Sequence, residues 1–276
     1  MTLFGSSALA ARIERAESRL CADGTEQAKR RGVREAFVRP LAGGAAAFAG
    51  PGSPFNKVAG LGFAGPVDER DLVAVEAAYA ERGAPLRVEL SCLGDPSIGL
   101  LLTSRGYRLQ GFENVLGQAL PVPPAPERLD VQVLVSTPDE LSLWLDTVIE
   151  GFANPDEQGV PSDESFPRQA LETALSDMQP LDGFSRYLAY RRGAVAGGAS
   201  LRLFDGIAAL CGATTRPLHR RRGVQTALLA TRLELAGRAG CDVAVVTTQP
   251  GSKSQENAQK QGFFLLYTRA VLVSKP

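Results

Sequence analysis

The sequence predicts a mixed α/β protein in two similar halves, each a mixed, mostly antiparallel sheet flanked by helices. Three observations predict it: a proline-rich break near the middle, a matching segment on either side of the break, and helical hydrophobic spacing that alternates with short apolar runs. The break is Pro121-Val122-Pro123-Pro124-Ala125-Pro126-Glu127, where missing backbone donors favour an extended chain. It separates residues 1–120 from residues 128–276, two stretches of ordinary domain size.

The first half opens with a helix over Ser7–Arg30, in which Leu9, Ile13, Ala16 and Leu20 recur at helical spacing. A strand at 36–41 follows, then a glycine- and alanine-rich stretch, 42–52, too poor in signal to assign. Next come a strand at 58–63, a helix at 68–82, a strand at 86–92 and a short helix at 95–105. Two strands, at 108–114 and 115–120, finish this half.

After the break the pattern predicts a strand at Val131–Val135 and a helix opened by the capping-type sequence Thr137-Pro138-Asp139-Glu140. That helix runs to Glu150, with Trp144 on its core face beside Leu141, Leu145 and Val148, and a second helix spans 165–178. Three strands in meander then occupy 187–190, Ala194–Phe204 and Ile207–Thr215, turning at Arg191-Arg192-Gly193 and Asp205-Gly206. A helix at 223–238, a strand at Val243–Thr248, a helix at 254–261 and terminal strands through Val273 complete the half.

The matching segments run from Arg87-Val88-Glu89-Leu90 to Gly106-Tyr107 and from Val243-Ala244-Val245-Val246 to Gly262-Phe263. They are equal in length, and each reads strand, turn, helix, glycine, aromatic, which predicts an internal duplication.

Bulk properties exclude several function classes. Hydrophobic residues make up 44% and charged residues 22%, as in ordinary globular proteins. Thirty basic residues balance thirty acidic ones, so no global charge favours nucleic acid or a membrane surface. No apolar run approaches the ~20 residues that span a bilayer, and the start lacks the pattern of a signal peptide, so a cytoplasmic protein is expected. Cys21, Cys92, Cys211, Cys241 and the single His219 show no metal-ligand spacing; buried free thiols and no metal are expected.

The chemistry concentrates in Arg220-Arg221-Arg222-Gly223-Val224-Gln225-Thr226. A diphosphate needs convergent N–H donors and nearby positive charge, and a turn feeding a helix start supplies both. An apolar strand precedes this turn, Pro217 ends the strand, three arginines add charge, and Gly223 permits close backbone approach. No Gly-Lys-Ser/Thr follows, which excludes a Walker-type nucleotide loop. No aromatic platform or second basic run supports single-stranded nucleic acid.

This stretch resembles the acyl-CoA site of the GNAT N-acetyltransferase superfamily, whose signature is Arg/Gln-x-x-Gly-x-Gly/Ala after a strand. Arg220 and Gly223 match, and Gln225 stands where the family has a small residue. The resemblance covers residues 131–276 in element order and includes Gly262-Phe263 before the terminal strands. It implies a fourth strand splayed from the fifth, pantetheine paired to Ala213, Thr214 and Thr215, and a thioester beside residues 246–248. It also implies acetyl-CoA as donor and a small amine as acceptor, in a monomer or homodimer.

The sequence departs from the family at two places. The position of the familiar tyrosine is Ala258, and that of a frequent asparagine is Gly251. Ser254, Asn257 and Tyr267 are the remaining catalytic candidates, while Asp156 and Glu157 are candidates for attracting an ammonium group. His219, beside the turn, fits a role in charge or capping there. A non-catalytic acyl-CoA-binding or regulatory module is the alternative reading. In the first half, Ala64-Gly65-Pro66-Val67 aligns with the arginine turn, and Asp68 and Glu69 follow. Proline lacks a donor and two carboxylates repel phosphate, so a degenerate half and one cofactor site per chain are expected.

Overall fold

The computed structural model describes residues 3–123, 130–155, 160 and 166–275. The first half contains α1 (Ser7–Arg30), β1 (Phe37–Leu41), β2 (Gly44–Phe48), β3 (Lys57–Ala59), α2 (Glu69–Ala80), β4 (Arg87–Ser91), α3 (Pro96–Ser104) and β5 (Arg108–Ala119). The second contains β6 (Val131–Val135), α4 (Leu141–Ala153), α5 (Arg168–Asp177), β7 (Phe184–Arg191), β8 (Ala194–Phe204), β9 (Ile207–Thr215), α6 (Val224–Arg238), β10 (Val243–Thr248), α7 (Lys253–Lys260) and β11 (Phe264–Val273).

The mixed α/β class is as the sequence predicts, but the sheets of the two halves merge. All eleven strands form one sheet in the order β1-β2-β3-β4-β11-β5-β10-β9-β8-β7-β6. Each half therefore inserts its last strand into the other: β5 pairs antiparallel with β10, and β11 pairs antiparallel with β4. The central pair is β5 with β11, where Glu113 lies opposite Arg269. On either side of it the pattern repeats, since β3 runs parallel to β4 and β9 runs parallel to β10. The duplication seen in sequence is thus a repeat of topology.

Four local differences from the sequence expectations have physical causes. The unassigned 42–52 stretch supplies β2, which turns back from β1 at Ala42-Gly43, both with positive φ. Its alanines have little intrinsic strand preference, and β2 is a strand because Ala46 and Ala47 are buried between two helical layers. The strand expected at 58–63 keeps only three residues, Lys57–Ala59. The paired strands expected at 108–120 and before Val273 are single long ones, because each runs between two neighbours from the opposite half.

Helices cover both faces. On one, α6 packs Leu228, Leu229, Leu233 and Ala236 against Ala208, Leu210 and Ala244, each buried leucine contributing about 1.5–3 kcal/mol. On the other, the alternate residues Ile207, Val243 and Val245 meet Leu9, Ala10 and Ile13 of α1. Ser6 caps α1 by accepting from the amide of Leu9 at 3.2 Å.

Beneath α1 lies a buried ionic cluster that joins the halves. Arg269 donates to Glu14 at 2.6 Å and sits 3.5 Å from Glu113, and Lys57 bridges Glu17 at 2.8 Å and Glu89 at 2.9 Å. Tyr267 donates its hydroxyl to Glu14 at 2.8 Å.

Cys21 and Cys241 are buried free thiols as expected, Cys211 is half-buried, and Cys92 departs from the expectation by being exposed. Burial pushes Cys21 and Cys211 up to about 12, so both stay protonated thiols at neutral pH. Among the described residues no helix is long and apolar enough to cross a membrane, and no three His, Cys, Asp or Glu side chains gather as a metal site.

Candidate acyl-donor site

The site begins with an irregularity in β9. Gly198 pairs with Thr214 but Ser200 pairs with Cys211, so Gly212 and Ala213 together face Ala199 alone. This is a β-bulge, with Gly212 at φ +52°, and an extra residue on one strand bends that strand. Beyond it β9 leaves its neighbour: β9 and β10 pair only across Ile207–Ala209 and Val243–Val245. The gap that opens has residues 210–215 on one side and 246–248 on the other. Ala213 and Thr215 are half-buried and Thr214 is buried along that arm.

From the end of β9 the chain passes through a 3₁₀ turn, Pro217–His219, and a tight turn with Arg221 at φ +58° into α6. The helix cap is Gly223 in the left-handed region at φ +78°, a conformation that costs glycine little. No side chain caps the helix and no acidic residue occupies its first turn, so the amide end of the dipole is left without a protein anion. Arg221 and Arg222 are exposed beside it; Val224 is buried, and Gln225 and Thr226 are half-buried. An amide-rich helix start flanked by two exposed guanidinium groups can hold a diphosphate.

Arg220 plays a different part from its neighbours. Its guanidinium donates to the carbonyl oxygens of Asn154 and Pro155, tying the turn to the end of α4. Arg216 pairs with Glu150 of α4 at 2.9 Å. His219 is half-buried, with Nδ1 enclosed and unpaired among the described residues.

The expected catalytic candidates do not converge. Ser254 is exposed on α7 and Asn257 is half-buried there. The cap of α7 is Ser252, whose hydroxyl accepts from Gln255 at 3.2 Å. Ala258 is buried against Phe263 and the α6 cluster, where an apolar methyl replaces the phenol of the familiar tyrosine. Tyr267 lies in the ionic cluster below α1, away from the gap; burial and then the Glu14 carboxylate push its ionisation far up, and its hydroxyl is committed to Glu14. Asp156 and Glu157 lie outside the described residues. Val160 donates its amide to the Gly251 carbonyl, in the β10–α7 turn, at 3.2 Å.

A polar group at the end of β10 escaped the sequence reading. Thr248 pairs across the sheet with Asn114 of β5, which contacts Gln255 at 3.3 Å and accepts from Thr268 at 2.8 Å. The Thr248 hydroxyl is buried and finds no partner among the described residues. Asn114 belongs to the first half, so only the strand exchange brings it here, and no local sequence signal announces that exchange.

The counterpart of this site in the first half is closed. Past β3, the Gly62 carbonyl accepts from Asp95 at 2.9 Å, and a Cβ on Gly62 would come within 2.7 Å of that amide. The start of α2 is capped by its own Asp68, which accepts from Arg70 at 2.7 Å, with Glu69 and Asp71 in the first turn.

Residues 153–263 match the family model described as the acetyltransferase (GNAT) family. No curated protein sequence matches the chain. Among solved structures it is similar to a GCN5-related N-acetyltransferase from Kribbella flavida, at 17% identity and a TM-score of 0.63 over 92% of this chain and 96% of that one. It is also similar to a GCN5-related N-acetyltransferase from Sphaerobacter thermophilus, at 18% identity and a TM-score of 0.57 over 75% and 67%. A tandem GNAT protein from the clavulanic acid biosynthesis pathway gives 14% identity and a TM-score of 0.55 over 75% and 70%. At these identities the likeness to solved structures is one of fold. Residues 153–263 therefore carry a domain of the acetyltransferase (GNAT) family, within a tandem GNAT-like fold.

Proposed function

We propose that the second half transfers an acetyl group from acetyl-CoA to an amine of a small molecule. The observation that carries this reading is the start of α6: a glycine-capped helix end with no protein anion, flanked by Arg221 and Arg222, at the mouth of the gap between β9 and β10. In this reading the amides of Gly223, Val224, Gln225 and Thr226 receive the diphosphate. Arg220 holds the turn to α4, and the backbone of Ala213, Thr214 and Thr215 pairs with the pantetheine arm. When bound, acetyl-CoA supplies the activated thioester.

The chain's own part is to bind, orient and exclude water. The bulged arm of β9 and the end of β10 fix the direction of approach to the gap, and Val160 bonds to Gly251 beyond the end of β10. With Ala258 in place of a tyrosine, Ser254 and Asn257 are the candidates on α7 for protonating the leaving sulfur, and solvent serves as acceptor for the amine proton. The first half has no second slot and acts as the buttress that lends β5, which fits one cofactor site per chain.

Gly223→Asp tests the reading. Aspartate tolerates the left-handed region, so the fold survives, while its carboxylate occupies the helix end. Calorimetry should show acetyl-CoA affinity falling at least about tenfold, or about 1.4 kcal/mol. Unchanged affinity refutes the placement of the diphosphate.

The buried methyl of Ala258 favours one second reading, a non-catalytic acyl-CoA-binding or regulatory module. Turnover separates the two. Acetyl-CoA binding without thiol release across amino acids, polyamines and aminoglycosides would establish the module.

A further inference from the structure

The bulge in β9 leaves a hydrogen-bonding deficit, which buried side chains of α4 and α6 meet from opposite faces of the sheet, together with the Ser200 hydroxyl, which donates to the Cys211 carbonyl at 3.2 Å. Where two residues face one, carbonyl groups of the ladder lose their regular partners, and a buried carbonyl without a partner is costly. From α4, the indole of Trp144, fully buried, donates to the Ala199 carbonyl at 3.1 Å. From α6, the guanidinium of Arg232 donates through Nη1 to Ser200 at 3.0 Å and Cys211 at 3.4 Å, and through Nε to Leu228 at 3.0 Å. Ala199, Ser200 and Cys211 are the residues that frame the bulge.

Arg232 is an unusual choice for a structural filler. It is 1% exposed, and among the described residues no carboxylate stands within salt-bridge reach. Burial lowers its pKa to about 10, leaving it a cation at neutral pH held by carbonyl dipoles alone. Charge buried on these terms is normally replaced by an apolar side chain without loss of stability, so its presence points to geometry. The same helix starts at the Gly223 cap, so one rigid element carries the diphosphate end and fixes the bend that opens the gap.

We propose that Arg232, with Trp144 opposite, is a positioning residue that sets the splay of β9 and thereby aims the backbone of Ala213, Thr214 and Thr215 at the pantetheine arm. This rests on the acetyl-CoA reading above. The two ends of the ligand separate the possibilities: adenosine 3′,5′-bisphosphate offers only its 5′-phosphate, the first phosphate of the diphosphate, to the α6 end, whereas acetyl-CoA also needs the bulged arm.

The test compares calorimetric affinities for both ligands in wild type, Arg232→Met, Arg232→Lys and Trp144→Phe, each checked for folding by circular dichroism. Arg232→Met should lose at least tenfold for acetyl-CoA and change less than threefold for adenosine 3′,5′-bisphosphate, with Arg232→Lys recovering part of the loss. Trp144→Phe, which keeps an aromatic side chain, though a smaller one, and removes the donor, should show the same split in smaller degree and carries the test alone if Arg232→Met does not fold. Parallel losses for both ligands, or no loss for either in folded variants, overturn the proposal. A wild type that binds neither ligand overturns the cofactor reading, an outcome distinct from these.

Discussion

The two halves share a topology and differ at one place, the start of the helix that follows the parallel strand pair. In the second half α6 begins at a bare glycine with arginines beside it; in the first, α2 begins at Asp68, which supplies its own anion, with Glu69 and Asp71 behind. The strands before the helices differ in step. β9 bulges and swings away from β10, whereas the chain after β3 stays hydrogen-bonded to the turn beyond β4 through Gly62 and Asp95. The same fold is open to an anion at one end and sealed at the other, and a few side chains decide which.

The exchange of β5 and β11 makes the halves inseparable in structure. The largest effect should therefore follow from separating them. Residues 128–276 alone lack β5, leaving the inner edges of β10 and β11 without their shared neighbour and exposing buried backbone donors and acceptors. That fragment should show no cooperative melt by circular dichroism, and co-expression with residues 1–120 should restore one. A fragment that folds alone and binds acetyl-CoA would break the claim that the first half is a structural partner.

Next in size is the ionic cluster that spans the join. Removing Arg269 leaves Glu14, 1% exposed, without its cation, and breaking such a pair costs about 3–5 kcal/mol. Urea denaturation of Arg269→Ala should show a loss in that range. A loss below about 1 kcal/mol would mean that the central pair does not hold the halves.

The cluster also sets a pH dependence. Burial alone would raise the Glu17 carboxyl, but Lys57 and then Arg269 outweigh it and hold the group at about 2. A folded pKa below the unfolded value gives stability that is full above the unfolded pKa and lost as pH falls through the folded one. The thermal midpoint should accordingly decline between about pH 4.5 and about pH 2. Glu17→Gln should flatten part of that decline, and an unaltered profile would remove Glu17 from the account.

Much of this organisation was legible in sequence, for reasons that also mark its limits. The arginine turn, Gly223 and the start of α6 could be found because their signals are local: proline, charge, glycine and an amphipathic run within ten residues. The repeat could be found because its period carries over even where identities do not. The strand exchange could not, since β5 fits a neighbour in its own half as well as one in the other, and so Asn114 was missed beside Thr248. The bulge was missed because an extra residue in β9 has no signature beyond Gly212, and Trp144 was read only as core because burial hides which buried groups donate.

The smallest effect sharpens the comparison most. Asp68→Ala removes the cap of α2 and should cost about 1 kcal/mol, since an N-cap aspartate satisfies one amide at the helix start. It also frees the anion position that distinguishes this helix from α6. If the helix start alone decided binding, the variant would gain weak affinity for acetyl-CoA or for adenosine 3′,5′-bisphosphate. It should gain none, because Glu69 and Asp71 remain in the first turn and the Gly62–Asp95 bond still closes the slot a pantetheine arm would need. Calorimetry on Asp68→Ala combined with Gly223→Asp removes the background of the second-half site, so any residual heat of binding would place a second site in the first half and contradict the reading of one site per chain.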